Sequence, residues 1–355
     1  MSAAPVSTAP SIPAETLDWL TAPDNPAVAV LTRRTLPHEP DSAELQALWS
    51  RRNGYAPVAR ILEAQRPDGS WGTPGQDYQK YQQGSLWQVH FLGELFADGT
   101  DPRVRLGAEY AFSRQLQDGS WSVTNMRPAG SISCLTANVG RALARLGYSR
   151  DERVIHALSH VAEVYRDVGR LSCAAGGTTN TLNGYCHMVA PKLLLFLGEV
   201  PRELWPDGAD ELRAECVRVL REREIFRCLP VGYREFQDAV ARVKPAERAA
   251  MREAWIAERG PLEYGDKSGW LRFGYPLSYN SDALEALRAL AAVGETRRVE
   301  YEPALQAVAG AGDPKMRWTL RNTHNGKMIA DVETKGQPSR WLTLHALSVL
   351  QHYQA

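Results

Sequence analysis

The chain has 355 residues, 44% of them apolar, so it can bury a substantial core in one large domain or two ordinary ones. Its 41 lysines and arginines equal its 41 aspartates and glutamates, which leaves no net field to attract nucleic acid or an anionic membrane. Neither is expected as a partner, and a polyanionic substrate is disfavoured.

The cysteines and the N-terminal segment favour a cytoplasmic protein. The five cysteines are odd in number and have no C-x-x-C spacing, so reduced thiols are expected rather than a disulfide framework. Residues 1–14 lack the basic and apolar parts of a signal peptide and are predicted to be a disordered tail. The most apolar run, Leu193 to Leu197, is too short to cross a bilayer, so no stable membrane insertion is expected.

A seven-residue motif occurs twice. Gln65 to Trp71 reads QRPDGSW, and Gln115 to Trp121, fifty residues later, reads QLQDGSW. A period of this length is typical of stacked helical hairpins or propeller blades. The apolar residues on both flanks follow helical spacing, which predicts helix, turn, helix. A degenerate third copy is predicted to end at Leu171, where the Gln and the Trp are lost.

The segments around these turns predict two kinds of helix. Segments 85–97, 133–147, 183–198 and 341–350 are apolar nearly all round, whereas 101–115, 151–165 and 210–224 carry charge on one face. This difference predicts an inner and an outer ring of helices. Further helices are predicted over 281–293 and 339–353, each opened by a capping serine.

One charge-rich stretch interrupts the rhythm of hairpins. Residues 202–262 are interpreted as one outer helix plus an inserted helical segment within a single toroid domain that spans 15–355. The insertion is either a lid or a solvated flap, and the flap is favoured because charge runs are usually solvated faces.

The repeated motif resembles the QW-type repeat of squalene cyclases and related terpene cyclases, whose (α/α)6 toroid is shared with protein prenyltransferase β subunits. The chain also resembles bacterial single-toroid proteins of the prenyltransferase and squalene-cyclase repeat group, through NPAVAVLTRRTL, KYQQGSLWQ, SCLTANVGRALARLGY and SRWLTLHALSVL. The resemblance implies an all-α fold, an α/α toroid. It also implies that Gln65 and Gln115 cap adjacent helices and stack on Trp71 and Trp121.

Three motifs that carry chemistry in the related enzymes are missing. The sequence contains no D-x-D-D for alkene protonation, no D-D-x-x-D for magnesium and diphosphate, and no Asp-x-Cys for zinc. Because one toroid hosts unrelated reactions, the resemblance predicts the fold better than the chemistry.

The connection before the third inner helix is the richest candidate site. Cysteine and histidine side chains there could act as thiolate and acid–base partner, or could be buried structural residues. Their spacing matches no common zinc module, so no metal or other cofactor is predicted. The candidate catalytic residues are Cys173, Cys186 and His187, with Asn183 and Tyr185 as substrate-binding neighbours.

A second candidate site precedes the helix at 281–293. Asp282 could be a general acid if burial raises its pKa, or could stabilise the helix dipole from within the first turn. Aromatic faces beside it could stabilise a developing cation. Those expected to line the cavity are Trp270, Phe273, Tyr275 and Tyr279.

The first and last inner helices supply the remaining candidates. Tyr81, Trp87, His90 and Trp341 are predicted to bind the substrate, although core packing is the stronger explanation for His90 and Trp341.

These observations favour a metal-independent lyase or isomerase that acts on a small apolar or terpenoid-like molecule in the toroid cavity. His187 and Asp282 would provide acid–base chemistry, with a possible contribution from a cysteine. Two alternatives stay open: a non-catalytic protein that binds a hydrophobic ligand or a peptide, and a terpene cyclase without the usual acidic motif. The oligomeric state is left undetermined.

Overall fold

A computed structural model describes residues 12–36, 39–78, 83–122, 132–169, 171, 186–259 and 262–354. Within those ranges the chain forms fifteen α-helices. They are α1 (Ala14–Leu20), α2 (Pro26–Thr35), α3 (Ala43–Ser50), α4 (Ala56–Glu63), α5 (Ser85–Glu94), α6 (Pro102–Ser113), α7 (Ser133–Leu143), α8 (Glu152–Val168), α9 (Val189–Leu197), α10 (Ala209–Glu222), α11 (Tyr233–Ala241), α12 (Arg248–Arg259), α13 (Ala283–Ala292), α14 (Glu302–Gly310) and α15 (Arg340–His352).

Four two-residue strands form two small antiparallel pairs. Strand β1 (Leu229–Pro230) pairs with β2 (Tyr264–Gly265), and β3 (Trp318–Thr319) pairs with β4 (Pro338–Ser339). All other regular structure in the described part of the chain is helical apart from isolated bridges, so the predicted all-α class is confirmed.

The helices form an α/α toroid. Six inner helices pack side by side in the order α5, α7, α9, α13, α15 and α2, while α3 and α4 link α2 to α5. The outer helices are α1, α4, α6, α8, α10 and α14. Both helices of the first hairpin, α1 and α2, pack on α15 of the last one, so the ring is closed.

Burial separates the two rings as the sequence predicted. Every residue of α5 and of α7 is buried, because these helices pack against neighbours on all sides. The outer helices α6 and α8 bury one face. No helix among the described residues is long and apolar enough to span a membrane.

The two copies of the motif form matching turns. The indole Nε1 of Trp71 donates to Ile61 O at 2.7 Å, and that of Trp121 donates to Ala111 O at 2.8 Å. Gln65 donates through Nε2 to Arg103 O at 2.9 Å, and Gln115 donates to Arg153 O at 2.8 Å. Each accepting carbonyl belongs to the second residue of the next outer helix, so each turn ties two hairpins together.

A third turn of the same geometry closes the ring, and the sequence did not reveal it. Trp318 donates through Nε1 to Val308 O at 2.7 Å, and its backbone N–H donates to Thr343 Oγ1 at 3.0 Å, as that of Trp121 does to Thr136 Oγ1. Arg317, instead of a glutamine, makes the hydrogen bond to the next outer helix, donating to Glu15 O at 3.0 Å. Glu15 is the second residue of α1, so this turn joins the last hairpin to the first.

The predicted degenerate copy at Leu171 keeps two traits of these turns. Gly169 has a positive φ of 68°, compared with 86° at Gly69 and 85° at Gly119, and Leu171 is buried. A left-handed backbone of this kind favours glycine because it lacks a Cβ.

The helix predicted over 281–293 begins later than expected. Ser339 caps α15 as predicted, accepting from Leu342 N at 3.0 Å, but α13 begins at Ala283 and its N-cap is Asp282 rather than Ser281. Asp282 therefore precedes the helix instead of lying within its first turn. An aspartate is as good a cap as a serine, which explains the shift.

Helices α11 and α12 of the insertion pack on each other around a small apolar cluster of their own. Phe236 and Trp255 stack there with ring centroids 4.7 Å apart, next to Tyr233. The β1–β2 pair joins this unit to the rest of the chain.

Candidate functional site

A segment that we call the plug, residues 273–281, lies across the space enclosed by the inner helices, which we call the bore. Three consecutive inner helices each hydrogen-bond one carbonyl of the plug. His90 Nε2 lies 2.7 Å from Leu277 O, Asn138 donates to Ser278 O at 2.8 Å, and Lys192 donates to Asn280 O at 3.0 Å. Because a carbonyl only accepts, Nε2 of His90 carries its hydrogen.

Further bonds hold the plug at its start and in its middle. The Tyr275 hydroxyl donates to Glu94 O at 2.6 Å, and Ser278 Oγ lies 2.8 Å from His324 Nε2. Phe273 O accepts from the backbone N–H groups of Arg321 and Asn322. The plug is therefore anchored to the inner helices and to the loop before α15.

The bore also contains buried ion pairs. Arg141 contacts Glu94 at 2.5 Å, and Lys192 contacts Glu285 at 2.5 Å, with each of these side chains at most 5% exposed. Burial opposes ionisation of Glu94, but Arg141 and Arg145 hold its pKa at about 2. Removing one partner of such a pair leaves an uncompensated buried charge.

Asp282 lies at the boundary between the plug and α13. Its Oδ1 accepts from Glu285 N at 2.8 Å, and its Oδ2 accepts from Gly274 N at 2.9 Å. Burial, and then the neighbouring Glu285 carboxylate, raise its pKa to about 7. A carboxyl group with this pKa can both give and take a proton near neutral pH.

Asp282 lines a small enclosed cavity of about 10 Å³, close to the space that one water molecule needs. Burial, followed by the charges of Arg288, Arg145 and Arg141, holds the pKa of the lining His345 well below its usual value. The other lining residues are Glu94, Gly274, Tyr275, Leu277, Leu284, Glu285, Arg288 and Leu342.

His187, just before α9, makes its hydrogen bond to a carbonyl outside the plug. Its Nε2 lies 2.9 Å from Ile225 O, and its ring packs on that of Trp270 at 5.0 Å. Burial lowers its pKa to about 4, so the imidazole is neutral at pH 7. Cys186 is buried next to it. The hydrogen bonds of Asp282 and of His187 thus have no common partner.

Several predicted substrate-binding residues meet in two aromatic groups. Trp87 contacts Tyr279 at 5.5 Å and Tyr78 at 5.7 Å, and it meets His90 edge-on at 5.6 Å. In the second group Tyr275 stacks on Trp341 at 5.0 Å. Phe273 and Trp270 are buried in the main core. Tyr81, Cys173, Asn183 and Tyr185 lie outside the described residues.

Two side chains that hydrogen-bond the plug, and the carboxylate paired with one of them, were missed by the sequence reasoning. Asn138, Lys192 and Glu285 lie on inner helices among apolar neighbours. A polar residue inside an otherwise apolar helix was the available signal, because such a residue needs a buried partner. Within the described ranges, no three His, Cys, Asp or Glu side chains are placed to hold a metal ion.

Comparisons with known proteins leave the family undetermined. No family model and no curated protein matches the chain. Among solved structures, a type II terpene cyclase variant from Scytonema, in complex with its product merosterolic acid A, is 15% identical with a TM-score of 0.35, covering 88% of this chain and 99% of its own. A protein from Actinoplanes is 16% identical with a TM-score of 0.30, covering 86% and 99%. Neither likeness supports a function for this chain.

Proposed function

We propose that the protein is a metal-independent lyase or isomerase that acts on a small, largely apolar molecule in the bore, with Asp282 as the acid. The observation that carries the proposal is a buried carboxyl group with a pKa of about 7 beside a cavity and next to aromatic side chains. Perturbed carboxyl groups in enclosed sites are typical of acid–base catalysts.

The hydrogen bonds of Asp282 suit this role. Two backbone N–H groups fix its orientation, so a proton leaves it in a defined direction. Substrate entry requires the plug to move, because the cavity beside Asp282 has room for about one water molecule. Tyr275 lines the same cavity, and its ring would stabilise positive charge that develops after protonation.

The experiment separates catalysis from helix capping. Asparagine caps a helix about as well as aspartate, so Asp282→Asn keeps the start of α13 while removing the acidic proton and the bond from Gly274 N. We expect turnover to fall by at least about 100-fold. The substrate is first identified by mass spectrometry of ligand released from the purified protein.

The matched control is Asp151→Asn, the same substitution at the N-cap of the outer helix α8, where the carboxylate accepts from Arg153 N at 2.9 Å. It should leave turnover unchanged. Equal turnover in wild type and Asp282→Asn, with both folded, would remove Asp282 from the mechanism. His187 with Cys173 or Cys186 would then be the next candidates, through His187→Ala and Cys173→Ala.

A second candidate function is non-catalytic binding of a hydrophobic ligand. The observation that favours it is the separation of the proposed acid–base partners, since His187 bonds to Ile225 and Asp282 to Gly274 and Glu285. A ligand that co-purifies with the protein and is released chemically unchanged after prolonged incubation would support this alternative.

A further inference from the structure

Three buried side chains around the plug have an acceptor atom without a hydrogen-bond partner in the described structure. They are His90 Nδ1 on α5, Asn138 Oδ1 on α7 and Glu285 Oε2 on α13. The residues are 1%, 1% and 4% exposed, so bulk water does not satisfy these atoms. Buried polar groups are nearly always paired, and an unpaired one costs stability.

The same three side chains are fixed by their other atoms. The Nε2–H of His90 and the Nδ2–H of Asn138 bond to carbonyls of the plug, and Oε1 of Glu285 contacts Lys192 at 2.5 Å. One polar atom of each side chain is therefore paired inside the protein, while an acceptor atom remains on each. A ligand that satisfies all three must bring hydrogen-bond donors.

The charges around these three acceptors determine whether a charged or a neutral donor can bind there. Arg141, Arg145 and Arg288 carry positive charge near these residues, and burial, together with the charges of Lys192 and Arg141, lowers the pKa of His90. These charges would repel a positively charged ligand such as an ammonium group. A neutral hydroxyl group brings the required donor without charge.

The apolar part of such a ligand has a place nearby. Trp87 meets His90 edge-on at 5.6 Å and contacts Tyr279, which is partly exposed. If the hydroxyl groups of the ligand donate to the three acceptors, its hydrocarbon part would lie against the rings of Trp87 and Tyr279.

We infer that His90 Nδ1, Asn138 Oδ1 and Glu285 Oε2 form a binding site for the hydroxyl groups of an apolar alcohol. This inference rests on the proposed function in one respect, that a small molecule enters the bore. It adds the substrate class, which the proposed function leaves open.

The test compares three probes of one carbon frame, 1-hexanol, hexane and hexylammonium, by ligand-observed NMR on the full-length protein. We expect 1-hexanol to bind about tenfold more tightly than either of the others, the effect of one or two hydrogen bonds to buried acceptors. Equal binding of 1-hexanol and hexane would overturn the inference.

Two variants assign the effect to the site. Asn138→Gln keeps an amide with both the donor to the plug and the free acceptor and should keep the preference for 1-hexanol, whereas Asn138→Leu should lose it. In case the leucine variant does not fold, a crystal structure of wild type with 1-hexanol gives an independent reading. The hydroxyl oxygen should lie about 2.7–3.0 Å from His90 Nδ1 or Asn138 Oδ1. Ordered water alone at those atoms would contradict the proposal.

The two proposals fail in different ways. Binding of 1-hexanol at the three acceptors with full turnover in Asp282→Asn would disprove Asp282 as the acid and leave the alcohol site standing. Loss of turnover in Asp282→Asn with no preference for 1-hexanol would disprove the alcohol site and leave Asp282 standing as the acid.

Discussion

The turns at Trp71, Trp121 and Trp318, which join neighbouring hairpins and which we call the seams, differ from the bore. The difference is in how completely their buried polar groups are hydrogen-bonded. At the seams, Trp71, Trp121 and Trp318 each donate the indole hydrogen to a carbonyl ten residues earlier. In the bore, His90 and Asn138 each keep an unpaired buried acceptor. Unpaired buried groups lower stability, so they persist where another requirement outweighs packing. The comparison assigns stability to the seams and ligand chemistry to the bore.

The largest expected effect is at a seam. Trp121 is completely buried, so Trp121→Ala should lower the free energy of unfolding by about 3–5 kcal/mol through lost burial and a residual cavity. Urea unfolding measures this. Trp205 also donates an indole bond, to Val200 O at 3.0 Å, but is partly exposed, and Trp205→Ala should cost less than half as much. Loss of activity at unchanged stability in Trp121→Ala would contradict a structural role.

The next effect is in the bore and depends on pH. Burial and Glu285 raise the pKa of Asp282 from 3.8 to about 7. Because the folded pKa lies above the unfolded one, Asp282 contributes stability that is complete below about pH 4 and is lost as the pH rises through about 7. The full change is on the order of a few kcal/mol.

Asp282→Asn lacks this titration and serves as the reference. Burial also lowers the pKa of His187, to about 4, which makes stability rise with pH in part of the same range. Subtracting the unfolding free energies of the variant from those of wild type cancels the histidine contribution. The difference should fall steadily between pH 4 and 7. A difference that does not change with pH would show that Asp282 titrates normally.

A smaller effect is expected from the cross-hairpin glutamines. Gln115→Ala removes two hydrogen bonds of 2.8 Å, to Gly119 O and Arg153 O, and should cost about 1 kcal/mol in unfolding free energy. Gln65→Ala removes bonds of 3.2 and 2.9 Å and should cost the same or less. No measurable change in either variant would mean that the tryptophans alone hold the seams.

The smallest effect distinguishes the third turn from the first two. Met316 has a φ of 56° at the position of Gly69 and Gly119, and a left-handed methionine is strained. Met316→Gly should therefore stabilise the protein by less than about 1 kcal/mol, since some packing is lost. Gly69→Ala is the opposite test and should destabilise, because a Cβ there would lie 2.5 Å from Leu106 O.

The seams also show how far the sequence predicts the fold. Two copies of one heptapeptide predicted the hairpins and the two rings, because Gln, Gly and Trp each perform a task visible in the pattern. In the closing turn Gly312 stands in the place of the glutamine and Met316 in the place of the glycine. Arg317 makes the cross-hairpin bond instead. The same geometry thus arises from different side chains, and only Trp318 remains as a signal.

The bore was predictable only in part. Asp282 was a candidate because of its place beside an aromatic stretch. Asn138 and Lys192 were visible as polar residues in apolar helices, but their partners lie 140 and 88 residues away. No local pattern in a single sequence connects such distant positions. The roles of His187, Cys173 and Cys186 remain predictions.

The closing turn has a consequence for synthesis of the chain. Arg317 and Glu15 are 302 residues apart, and Thr16 donates to Lys315 O across 299 residues. A ribosome releases α1 long before the residues that cover it, so the nascent hairpins form an incomplete arc. Glu94 and Arg141 are only 47 residues apart, so both are made long before the residues that cover α1. The ring can close only after the turn at Trp318 and α15 have been made.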